Sequence, residues 1–220
     1  ALTSIPVLPK LVKLLCVDCT ALTAIPVMAK LEELYCGDCT ALTVIPVMAE
    51  LKKLNCEYCA SLTSIPVMSK LKTLNCTGCV ALVDIHVMPN LITLNCTECE
   101  SIISIPVMAK LKTLNCTCCT ALTNIPILPK LKALDCWGCT ALTEIPVITE
   151  LEELDCRSCR NITSIPELPK LDYLYCSYCT ALTSIPSNFD TFLVFFFDGC
   201  KWLTIKGNRD FENNMRSRRS

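Results

Sequence analysis

Residues 114–120 read LNCTCCT, and the Cys116/Cys119 pair within them has the spacing of a metal knuckle or a redox motif. The same pair stands twenty residues earlier at Cys96/Cys99 and twenty later at Cys136/Cys139. Set in lines of twenty, residues 11–190 fall into nine copies of Leu-x-x-Leu-x-Cys-x-x-Cys-x-x-Leu-x-x-Ile-Pro followed by four variable positions. A half copy, residues 1–10, precedes them. A degraded copy follows, in which Phe192, Phe195, Phe197, Cys200 and Leu203 keep the apolar offsets. A fixed period of twenty marks a solenoid, whose units are too small to bury their own apolar face and must stack.

Within a unit, Leu at the fourth place and Cys at the sixth flank a polar fifth residue, the alternation of a short strand with one face inward. One strand per unit stacks into a parallel sheet of about ten strands, about 45 Å long at the usual spacing. The proline at the sixteenth place bars a regular helix on the way back. The fold expected is therefore a β-rich right-handed solenoid, with a parallel sheet on the concave side, an extended or polyproline-like convex side and little or no helix.

The segment LKTLNCTGC (71–79) with the following LVDI (82–85) resembles the signature of leucine-rich repeats. The short unit ending in Ile-Pro is similar to the twenty-residue class of bacterial effectors of the YopM and IpaH type. The cysteine-rich form, with a terminal GCKWLTIKGNRDFENN (199–214), is also similar to arrays of giant amoebal DNA viruses such as the Marseillevirus group. Two positions depart from the usual pattern, since Cys replaces Leu at the sixth place and stands for Asn at the ninth. The resemblance implies a non-enzymatic interaction scaffold that binds a protein on its concave face, a host protein in the case of a virus or effector. With only about twenty residues after Gly199, the ligase domain that follows the repeats of IpaH-type effectors is not expected.

Twenty cysteines then admit several readings. If the sixth and ninth residues both point inward, they form two internal columns of small polarizable side chains, with the thiol partly replacing the turn-tying Asn amide. Disulfides fit poorly, because equivalent residues of adjacent coils lie about 4.8 Å apart with parallel Cα–Cβ vectors. Zinc needs convergent knuckles, whereas these pairs lie parallel. No metal and no cofactor is expected, and buried thiols imply a reducing compartment, most simply the cytoplasm. Cys118, at the eighth place, is expected to face solvent.

The chain holds one histidine, His86, in place of a repeat proline, and five glycines without a phosphate-loop pattern. A Ser/His or Cys/His nucleophilic site has almost nowhere to reside, so no catalytic residue is assigned. With 20 Lys and Arg against 21 Asp and Glu, no whole-molecule field draws nucleic acid or an anionic membrane. Lysines such as Lys70, Lys72, Lys110, Lys112, Lys130 and Lys132 are expected to form a stripe along one lateral edge.

Binding is expected at positions 3, 5, 7 and 8, along the concave face. Asp135, Trp137, Asp155, Arg157, Tyr173, Tyr175 and Tyr178 would cluster on neighbouring strands, combining aromatics and Arg with carboxylates. Tyr35 and Tyr58 make a smaller group. Between them, Asn75, Asn95 and Asn115, flanked by threonines, form either an amide ladder or a flat hydroxyl array. Residues 191–214 read as a degenerate repeat and C-terminal cap, and 215–220 as a disordered basic tail. The array starts mid-repeat at residues 1–10, so its N-terminal edge is expected to be exposed, paired with another copy in self-association, or covered by sequence outside this chain.

Overall fold

The computed structural model describes residues 2–186 and 193–200. Ten three-residue strands form one sheet: β1 (Lys13–Leu15), β2 (Glu33–Tyr35), β3 (Lys53–Asn55), β4 (Thr73–Asn75), β5 (Thr93–Asn95), β6 (Thr113–Asn115), β7 (Ala133–Asp135), β8 (Glu153–Asp155), β9 (Tyr173–Tyr175) and β10 (Val194–Phe196). Their order in the sheet is their order in the chain, and every pair is parallel. The register steps by twenty residues from β1 to β9, so Leu74 lies beside Leu94 and Asn75 beside Asn95. From β9 to β10 the step is twenty-one, pairing Leu174 with Phe195. One residue is inserted there, and the degraded copy keeps its frame.

Each coil is a strand, three turns and an extended return, with no helix among the described residues. Past the strand the ladder continues, with the Cys56 N–H donating to Asn75 O at 2.8 Å and the Tyr58 N–H to Thr77 O at 2.6 Å. The chain then turns, Cys59 N–H to Cys56 O at 3.3 Å and Leu62 N–H to Cys59 O at 3.0 Å, and after the return turns again, Leu71 N–H to Met68 O at 3.1 Å. Isolated parallel bridges such as Ser104 with Asn124 tie the returns of adjacent coils together. Backbone polar groups are thus met chiefly by the coils above and below, which a twenty-residue unit could not manage alone.

Seven side chains per coil point inward, as in Leu51, Leu54, Cys56, Cys59, Leu62, Ile65 and Met68, all fully buried. The seventh corrects the sequence reading, which counted the eighteenth place among four variable positions. Met28, Met48, Met68, Met88 and Met108 line a buried column that Leu128, Ile148 and Leu168 continue. The place before it faces out: Val27, Val47, Val67, Val87, Val107 and Ile127 are exposed. Periodicity alone does not separate these two adjacent apolar columns.

The cysteines answer to hydrogen bonding as well as packing. In nine consecutive coil junctions, the thiol of the ninth position lies 2.9 to 3.1 Å from the carbonyl oxygen of the sixth-position Cys one coil earlier, as Cys99 does from Cys76. Each such thiol donates where an Asn amide would. Sixth-position thiols reach forward to the next strand, Cys76 to Asn95 O at 3.5 Å. The cysteines of the first nine coils are free thiols. Contact with the thiol of the next coil and burial raise Cys56, Cys76, Cys96 and Cys136 well above the ordinary thiol range.

Candidate binding face

Strand alternation turns the third and fifth side chains of each coil away from the core, and the turn that follows presents the seventh and eighth. At the fifth place, six coils carry Asn or Asp whose side-chain oxygen accepts the backbone N–H two residues on, at 3.0 to 3.2 Å. This is the Asx-turn bond, and it explains the residue type locally. Asn75, Asn95 and Asn115 are therefore turn residues first. The Thr77 hydroxyl donates to Asn75 Oδ1 at 2.8 Å, and that of Thr117 to Asp135 Oδ1 at 2.8 Å. Thr97 Oγ1 lies 2.8 Å from Asn95 Oδ1 and 2.9 Å from Asn115 Oδ1. The threonine hydroxyls of this middle stretch are thus hydrogen-bonded to carboxamide and carboxylate oxygens of the face itself.

The eighth place holds a feature the sequence reading missed. Its backbone is left-handed in all ten coils, with φ between 55° and 72°. Gly and Asp recur there because Cβ-less or short polar residues adopt this conformation most readily. Tyr58 and Tyr178 stand in the same strained place, and each is followed one coil later by glycine, Gly78 and Gly199. A Cβ built on Gly78 would come within 2.3 Å of the Tyr58 ring, and one on Gly199 within 2.7 Å of the Tyr178 ring. Each ring lies over the next coil's turn, in space a side chain would fill. Cys118 is half-buried rather than solvent-facing, its sulfur 3.2 Å from the Cβ site of Gly138.

Most of the predicted C-terminal cluster does come together. Arg157 is held by Asp155 through its Nε, 3.0 Å from both carboxylate oxygens, and through Nη2, at 2.5 Å from Oδ2. Its guanidinium lies 5.8 Å from the Trp137 ring centroid and 5.7 Å from that of Tyr175. Tyr175 stacks on Phe196, centroids 5.4 Å apart and planes inclined by 10°. A Trp–Arg–Tyr–Phe row thus crosses four successive coils. Asp155, only 8% exposed, serves as the anchor of Arg157. Asp135 accepts from Thr117 and from the Trp137 N–H. Tyr173 and Tyr178 flank the row and are exposed. Phe196 was not among the predicted residues, although the register of the degraded copy puts it at the fifth place.

At the other end, Tyr35 receives the ammonium groups of Lys13 and Lys53 at 4.9 and 5.2 Å from its centroid, and its hydroxyl donates to Glu33 at 3.1 Å. Tyr58 does not join it, lying over Gly78 instead. On the lateral edge the expected lysine stripe is interrupted by acids that pair with it across coils, as in Lys70–Glu50, Lys132–Glu152 and Lys170–Glu150. His86 is exposed on a return. Among the described residues, no group of three or more His, Cys, Asp and Glu side chains is placed to hold a metal ion.

No family model and no curated protein matches the chain. Among solved structures it is similar to a leucine-rich repeat protein from Bacteroides ovatus, with 16% identity, a TM-score of 0.37 and coverage of 84% of this chain and 78% of that one. The architecture rests on the chain's own repeat and register, which make it a parallel β-solenoid of leucine-rich, twenty-residue coils.

Proposed function

We propose that this solenoid is a non-enzymatic scaffold that binds a protein partner through the C-terminal third of its sheet face. The observation that carries the reading is the Trp137–Arg157–Tyr175–Phe196 row, fixed in place by the Asp155 carboxylate. Aromatics and Arg are the residues enriched at energetic hot spots, and rings already held in one arrangement lose little conformational freedom on binding. Tyr173 and Tyr178 extend the ring surface at its rim. The column of buried thiol donors supports a reducing compartment, most simply cytoplasm. The likeness of the repeat to those of bacterial effectors and amoebal viruses supports a host protein as the partner.

The test is a crosslinking pull-down from cytosolic extract, comparing the native chain with a Trp137→Ala/Tyr173→Ala/Tyr178→Ala variant, with both folded by circular dichroism. A protein captured only by the native chain, and bound by it again after purification, supports the reading. Equal capture by both chains sinks it.

A further inference from the structure

Net charge conceals a sorting by column. The third, fifth, seventh and eighth positions of the ten coils, all on the sheet face and its turn, carry nine carboxylates against three cations. Along the lateral edge, the twentieth and second positions between Lys10 and Asp172 carry ten lysines against five acids. The whole chain sums to −1, yet one face is acidic and the adjoining edge basic.

All three cations on the acidic face are seated on aromatic rings. Lys13 and Lys53 lie over Tyr35, and Arg157 lies between Trp137 and Tyr175. Lys13 also pairs with Glu33 at 3.1 Å, and Arg157 with Asp155. The face therefore already binds cations by combining a carboxylate with a ring, the arrangement by which an ammonium or guanidinium is held at a surface. Exposed parts of the same kind remain on and around the row. Trp137, Tyr173 and Tyr178 are 44%, 37% and 59% exposed, and Glu153, Asp198 and Glu98 are exposed carboxylates with no ion pair among the described residues.

From this we infer that the partner segment docking on the C-terminal sheet face is an extended polypeptide rich in Lys and Arg, its cations placed on these rings and neutralised by these carboxylates. The inference deepens the proposed function and rests on it. An acidic or purely apolar segment would meet like charge or leave the carboxylates desolvated and unpaired, which disfavours it.

The test uses fluorescence anisotropy of the full chain with a labelled peptide of about twelve residues, alternating Arg or Lys with Gly and Ser, and with its Glu-substituted counterpart. The basic peptide is expected to bind, the acidic one not, with affinity falling about tenfold between about 0.05 and about 0.5 M salt as exposed charges are screened. Glu98→Gln/Glu153→Gln/Asp198→Asn should weaken binding about tenfold or more. Asp84→Asn/Glu100→Gln/Glu144→Gln, which removes three carboxylates away from the face, should change it less than about twofold. Trp137→Ala should weaken binding at high salt as well, because ring contact is screened less than exposed charge. Equal loss in both triple variants would mean diffuse attraction and would overturn the inference, as would failure of the basic peptide to outbind the acidic one. If the pull-down still depends on the exposed rings in that case, the face binds protein and only the basic character of the partner is wrong.

Discussion

Replacing Gly78 with Ala tests the pairing of tyrosine with glycine along the eighth column. Two costs combine. Gly78 has φ +68°, where a residue with a Cβ loses about 1 kcal/mol relative to glycine. The new methyl would also stand 2.3 Å from Cδ1 and 2.6 Å from Cε1 of Tyr58, so the ring must swing off the turn. If that re-exposes about 50 Å² of ring, the loss is about 1.3 kcal/mol, for a total of roughly 2 to 2.5 kcal/mol. In a Tyr58→Ala background the second cost vanishes, because no ring is left to displace, and only about 1 kcal/mol should remain. Gly37 provides the contrast. Its φ lies outside the left-handed region, and its Cβ would meet the Cγ of Glu57, an adjustable side chain, at 3.1 Å. Gly37→Ala should be neutral or stabilising by up to about 0.5 kcal/mol through the unfolded chain. Urea denaturation of the four Tyr58/Gly78 combinations and of Gly37→Ala, under reductant at one pH, supplies the numbers. Equal cost of Gly78→Ala in both backgrounds would refute the steric pairing, and a cost of Gly37→Ala matching that of Gly78→Ala would refute the left-handed argument.

Alkaline pH should unfold the protein cooperatively. Burial pushes the Cys16 thiol up to about 12, and contact with the next coil's thiol and burial push Cys56, Cys76, Cys96 and Cys136 up as well, while unfolded thiols ionise near pH 8.5. For these raised thiols the folded state holds more protons above about pH 8.5, so their contribution to stability is constant below that value and falls by about 1.4 kcal/mol per pH unit for each above it; a midpoint in urea that is flat from pH 8 to 11 would contradict this. Cys99→Ala removes a buried donor to the Cys76 carbonyl and leaves a sulfur-sized void, for a loss of about 1 to 2 kcal/mol in urea titration, whereas Cys118→Ala at the half-buried eighth place should cost less than about 0.5 kcal/mol. Lys70→Met breaks an exposed ion pair with Glu50 and should leave the denaturation midpoint within error of the native chain.

The period, the strand at positions three to five and the inward set of Leu, Cys and Ile were legible because each rests on the same side chain recurring at the same offset. Two columns were not. The eighteenth place read as variable because five methionines in succession give way to Leu and Ile there, though all are buried. The left-handed eighth place hid behind its variety, since Gly, Asp, Glu, Ser, Cys and Tyr share no side-chain chemistry. Its signal lay one coil away, in the glycine that follows each tyrosine after about one period. In the candidate site, the strand assignment brought Trp137, Arg157 and Tyr175 together correctly. It could not show that Asp155 is consumed by Arg157, because burial of a fifth-place residue depends on how the seventh-place side chain folds back over it.

The fifth column separates what the repeat needs from what it carries. Where Asn or Asp stands there, its oxygen meets the N–H of the seventh residue, a local bond worth about 1 kcal/mol. Tyr35, Tyr175 and Phe196 have no such oxygen to offer, so those coils forgo that bond for a ring. Stacking alone does not require the exchange, since Asn fills the same place four times in succession from Asn55 to Asn115. Coil 1, with Leu15, lacks the bond as well; in the other three coils that give it up, a ring receives a cation or stacks on another ring. Local rules broken at a few clustered positions of an otherwise regular array mark the places where surface chemistry, rather than folding, sets the residue. On this argument the C-terminal coils, which hold two of the three rings together with Trp137 and Arg157, are where a partner is to be sought.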